Sequence, residues 1–124
     1  MINFNELIIT MGKYAQAQYP LEACGIITKD FQFVRSSNLS NRPKISFMID
    51  PVLLVAYDDN IWGVFHSHTD TSHQDPSEED LKHTIYSDLK FIVGNQNKFY
   101  IYWYDKERKI KRSEVLNESH CTNN

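Results

Sequence analysis

The residues with the clearest chemical potential are His66, Ser67 and His68, which close an apolar run. In a strand, side chains at i and i+2 point to the same face. Ile61 to Ser67 reads as such a strand, so the two imidazoles project together, close enough to share one ion. Imidazole nitrogen is a favoured zinc ligand. Twelve residues beyond His68 comes Asp80, in the first turn of an expected helix, from where it can return over the strand end as a third ligand. Two histidines and one carboxylate leave the fourth tetrahedral position open for water, as catalytic zinc sites do and structural ones usually do not. A plainer reading fits the same residues. Ser77 is a good helix cap, and a carboxylate at the position of Asp80 is favourable there without any metal. Spacing alone leaves both readings open.

The elements that must position these residues follow from the hydropathy pattern. Phe4, Leu7, Ile8, Met11 and Ala15 recur at helical spacing and predict an amphipathic helix over 4–18. Asn3 can cap it, with Glu6 as the capping-box partner, and Pro20 ends it by biasing Tyr19 away from helical angles. Ala23 to Thr28 reads as a buried strand, Lys29-Asp30 as a turn, and Phe31 to Arg35 as a second strand. Ser36 to Lys44 is a loop and Ile45 to Ile49 a third strand. Asp50 then caps a short helix that opens on Pro51 and runs to about Tyr57. After the Ile61 to Ser67 strand come a polar loop over 69–76 and a helix from Ser77 to about Tyr86. Strands over 89–93 and 98–104 flank a Gly94-Asn95 turn, and Lys109 to Leu116 forms a last, exposed strand. The expected fold class is α/β or α+β layered: a mixed central sheet flanked by helices. One domain occupies residues 1–116, and 117–124 is a polar tail.

Composition narrows the function. The chain has 124 residues, 41% hydrophobic and 23% charged, with a formal charge of -3, so it lacks the basic face of a nucleic-acid binder. Its one basic cluster, Lys106 to Arg112, contains Glu107 and reads as a solvated hairpin. Cys24 sits in an apolar run and Cys121 in a polar tail, a usage that suits a reducing compartment better than a disulfide framework. As a nucleophile Cys24 is disfavoured, since no basic neighbour is evident to activate it. No signal peptide or bilayer-spanning run is evident, so a cytoplasmic location without membrane association is expected. The nucleobase-deaminase pattern, His-x-Glu with Pro-Cys-x-x-Cys, is not present.

Four segments then occur in a telling order: Pro20-Leu21-Glu22-Ala23-Cys24-Gly25, Phe47-Met48-Ile49-Asp50-Pro51, Gly63-Val64-Phe65-His66-Ser67-His68 and Pro76-Ser77-Glu78-Glu79-Asp80. Together they resemble the JAMM (MPN-type) zinc metallopeptidase family, whose hallmark is a distant glutamate, then His-x-His-Pro, then Ser-x-x-Asp. The resemblance runs from about residue 4 to 104 and implies an MPN, cytidine-deaminase-like fold with one zinc ion per chain. His66, His68 and Asp80 match the metal ligands. Glu22, on its residues alone a plain surface glutamate before a strand, matches the general base that passes a proton to the leaving amine. Ser77 matches the serine that stabilises the oxyanion. Ser67 points to the opposite face and has a structural role.

The chain departs from the pattern twice. Thr69 stands where the family has proline, and the loop from His68 to Asp80 is one residue longer, with Asp70, His73 and Asp75 as solvent-facing polarity. The resemblance implies hydrolysis of an amide or isopeptide bond. The chain is too short for the insertions that grip ubiquitin in eukaryotic members. Processing of a bacterial ubiquitin-like sulfur carrier, or cleavage of cell-wall peptides in phage tail assembly, suits it better, and the latter implies a virion-associated protein. The expected partner is a peptide or protein substrate, with a separate cell-wall peptidase or tail protein in the phage case. The competing class is an inactive MPN-fold assembly module, which usually lacks the ligand set that is present here.

Overall fold

The computed structural model describes residues 4–69, 89–94 and 99–115. Helix α1 (Phe4–Gln18) has the bounds its periodicity predicts, and Leu7, Ile8, Met11 and Ala15 are buried along one side of it. Strands β1 (Cys24–Ile27) and β2 (Phe33–Ser36) follow, then helix α2 (Pro51–Ala56) and strands β3 (Gly63–Ser67), β4 (Lys90–Gly94), β5 (Phe99–Tyr104) and β6 (Ile110–Val115). The six strands form one sheet in the order β2-β1-β3-β4-β5-β6. All neighbours are antiparallel except β3 and β4, which run parallel from Gly63↔Lys90 to Ser67↔Gly94. This is the mixed sheet with flanking helices that the sequence predicts. No helix among the described residues is long and apolar enough to cross a membrane.

The period of two along each strand divides the core in two. Ile27, Phe65, Ile92 and Phe99 face α1 and pack with Leu7, Ile8 and Met11. Cys24, Ile26, Val64, Phe91, Val93 and Tyr102 form the other cluster, covered by Ile49, by Phe47, and by Leu53 and Tyr57 from the α2 region. Burying one such side chain contributes about 1.5–3 kcal/mol. A central strand buried on both faces, as β3 is along its whole length, is therefore held firmly in register.

Glycine has a specific duty in this sheet. A Cβ at Gly25 would run into the Val34 carbonyl oxygen and the Phe33 ring, so only glycine lets β2 and its aromatic lie this close over β1. The β1–β2 turn places Phe31 at φ 65 instead of in the strand, and its ring rests against Trp62 at 4.9 Å. The expected Lys106 to Arg112 hairpin is present between β5 and β6, with residues 106–113 exposed.

One expected strand is corrected. Residues 45–49 make only an isolated bridge, Asn38↔Ile49, and Ile45 and Met48 are exposed. The Asn38 side chain takes the place of a ladder partner. Its Nδ2 donates to the Ser46 carbonyl at 2.9 Å, and its Oδ1 accepts from the Met48 amide at 3.0 Å. Asparagine side chains compete with regular backbone pairing in this way. Helix α2 keeps the expected cap: Asp50 accepts from the Val52 amide at 2.9 Å, with Pro51 in the first turn. The expected helix from Ser77 and the tail over 117–124 lie outside the described residues.

Candidate metal centre

β3 delivers the two histidines. His66 is its fourth residue and is 1% exposed; His68 lies one residue past its end, half-buried, with its amide donating to the Gly94 carbonyl at 3.0 Å. Their Nε2 atoms are 3.2 Å apart. Two neutral imidazoles can hydrogen-bond at this distance, one nitrogen keeping its proton. The separation also suits two ligands of one ion, since nitrogens at 2.0–2.1 Å from a tetrahedral zinc lie about 3.3 Å from each other. Phe47 stacks on the His66 ring, with centroids 4.3 Å apart and planes 13° from parallel.

Ser67 faces the other way, as its place between the histidines predicts. It is buried, and its hydroxyl accepts from the Ala23 amide at 2.7 Å, while its own amide donates to the Ala23 carbonyl at 2.9 Å. These bonds carry the β1–β3 contact beyond the last ladder pair, Cys24↔His66. Glu22 stands just before β1, two residues ahead of Cys24, whose thiol feels its charge. Glu22 is 6% exposed, so it is not the plain surface residue that its local sequence suggests. Its backbone is held on both sides of the residue: the amide donates to the Pro43 carbonyl at 2.7 Å, and the carbonyl accepts from Asn38 Nδ2 at 2.9 Å.

The neighbouring thiol is inert. Cys24 is fully buried, and burial pushes its pKa up to about 11, with the hydrogen bond to Ser36 working against the shift and the Glu22 charge adding to it. Such a thiol stays protonated at neutral pH and is no nucleophile. Thr69, in place of the family's proline, donates its hydroxyl to the Lys44 carbonyl at 2.9 Å and ties the chain after His68 to the covering segment.

His66 and His68 are thus brought together at the end of β3, and Glu22 is buried at the entry to β1. Asp80 and Ser77, with Asp70, His73 and Asp75, lie outside the described residues. Among the described residues, no three His, Cys, Asp or Glu side chains converge as a complete ligand set. Sequence reasoning missed Asn38 and Phe47 as members of this neighbourhood. Phe47 stood within a quoted motif but carried no sign of what it would touch, and Asn38 looked like ordinary loop composition.

The fold has solved relatives. The solution structure of a protein from Desulfitobacterium hafniense superposes with a TM-score of 0.68 at 22% identity, covering 96% of this chain and 96% of that one. No functionally curated protein matches. The family described as prokaryotic homologs of the JAB domain matches residues 5–106, a span that holds every segment carrying the JAMM resemblance. The chain belongs to that prokaryotic JAB family of MPN-type domains.

Proposed function

We propose that this protein is a zinc metallopeptidase that hydrolyses an amide or isopeptide bond in a peptide or protein substrate. The observation that carries the reading is the convergence of His66 Nε2 and His68 Nε2 to 3.2 Å; the burial of Glu22 at the entry to the neighbouring strand supports it. Asp80 completes the ligand set in this reading, from the connection between β3 and β4. Bound zinc would supply a water acidified to a pKa of about 7. Glu22 takes the proton of the attacking water and returns it to the leaving amine. Its burial beside an apolar strand favours that exchange by keeping bulk water from competing for the proton. The Ser77 hydroxyl donates to the oxyanion that forms on the substrate carbonyl. The substrates in this reading are cell-wall peptides, in phage tail assembly, or a bacterial ubiquitin-like sulfur-carrier protein.

The zinc-loaded protein should be assayed against cell-wall peptides and against a sulfur-carrier protein extended at its C-terminus. Wild type is expected to cleave one of them. Glu22→Gln is expected to keep its zinc and lose about 10²–10⁴-fold in rate, the usual contribution of a general base. Asp80→Ala is expected to lose metal, and unchanged zinc content would assign Asp80 to helix capping alone. Full zinc with no hydrolysis by wild type would favour the assembly-module reading.

A further inference from the structure

The Asn38 carboxamide has more partners than any loop side chain around the site needs for its own turn. Nδ2 donates to the Glu22 carbonyl and the Ser46 carbonyl, each at 2.9 Å, with Pro43 O at 3.4 Å. Oδ1 accepts from the Ser40 and Met48 amides, each at 3.0 Å. Carbonyls surround one end and amides the other, so the orientation of the group is fixed by its partners. The bonds to Ser40 and Met48 shape the segment itself. The bond to Glu22 leaves the segment and joins it to the chain entering β1.

Phe47 lies between the two residues that Asn38 grips, Ser46 and Met48, and it is Phe47 that covers the His66 ring. We infer that Asn38 is a positioning residue: its side chain latches the 38–49 segment to the backbone of Glu22 and thereby holds Phe47 on His66. One asparagine then sets two things together, where the Glu22 backbone sits and how the His66 ring is oriented. A histidine rotates about two side-chain torsions, and a parallel ring at 4.3 Å removes much of that freedom. The latch itself rests on geometry alone, and its consequence for catalysis rests on the peptidase reading above.

The test is made on the metal-free full-length chain, by following the His66 ring protons in nuclear magnetic resonance spectra at one alkaline pH. The stacked Phe47 ring shields them, and Phe47→Ala gives their unshielded position. Asn38→Asp keeps an acceptor for Ser40 and Met48 but removes the N–H that binds Glu22 and Ser46. It is expected to move the His66 signals downfield toward the Phe47→Ala position, while the Met11 and Ile92 methyl signals of the opposite core stay in place. In a Phe47→Ala background the same substitution is expected to move His66 no further. His66 signals at their wild-type position in folded Asn38→Asp, or equal shifts in both backgrounds, would overturn the inference. If Asn38→Asp does not fold, the wild-type carboxamide protons decide: two slowly exchanging signals support the latch, and exchange at the rate of a free asparagine overturns it. In the zinc-loaded protein the variant is expected to lose up to about a hundredfold in kcat with KM unchanged, the scale of loss when a reacting group is misplaced by an ångström. An unchanged kcat would overturn the positioning role. Absence of hydrolysis in wild type would instead count against the peptidase reading and leave the ring-proton test to decide the latch.

Discussion

Adjacent residues on β3 hold opposite assignments. His66 points toward Phe47 and the candidate metal position, while Ser67 turns into the sheet and satisfies the Ala23 amide. That division was legible in the sequence, because alternation along a strand fixes which side chains share a face. The setting of Glu22 was not. Its burial depends on the β1–β3 register and on a covering segment that is remote in sequence, and neither leaves a mark on the residues around it. Ser67→Ala would leave a buried amide without its acceptor, at a cost of about 1–3 kcal/mol. Urea denaturation should show that loss with zinc content unchanged. A variant that kept its stability but lost zinc would move Ser67 into the metal centre.

Element boundaries were readable where periodicity and punctuation agreed. α1 spans Phe4–Gln18 as its apolar spacing and Pro20 require. The stretch 45–49 has the composition of a strand, yet beyond its one bridge the Ser46 carbonyl and the Met48 amide pair with the Asn38 side chain. A residue acting as a surrogate strand partner from outside the run cannot be seen in a hydropathy pattern. The β1–β2 contact makes its own prediction. Gly25→Ala pushes a methyl against the Phe33 ring and the Val34 carbonyl, and overpacking of this kind costs about 1–3 kcal/mol. The denaturation midpoint should fall accordingly. An unchanged midpoint would mean that β2, an edge strand, moves aside freely.

Across the whole molecule, the sheet separates a face built for stability, packed on α1, from a face that carries both apolar core and candidate chemistry. Cys24 links the two roles, since it is buried in the second core directly across from His66. Its thiol pKa is raised from 9.0 to about 11, so the folded state holds that proton more tightly than the unfolded chain does. The resulting stability is complete below pH 9 and is lost as pH rises through 11, a change of about 2–3 kcal/mol. Tyr14, also raised by burial, shifts stability in the same direction. Cys24→Ala should therefore lose less stability than wild type between pH 8 and pH 11, measured by urea denaturation at each pH. Parallel curves for the two proteins would show that the buried thiol is not the group responsible.

In the proposed function His66 and His68 hold a metal ion and are not merely a hydrogen-bonded pair. The most direct measurement is zinc per chain by elemental analysis after zinc reconstitution and desalting, for wild type and for the double variant His66→Ala/His68→Ala. One zinc is expected in wild type and none in the variant. No zinc in wild type, or equal zinc in both, would contradict it.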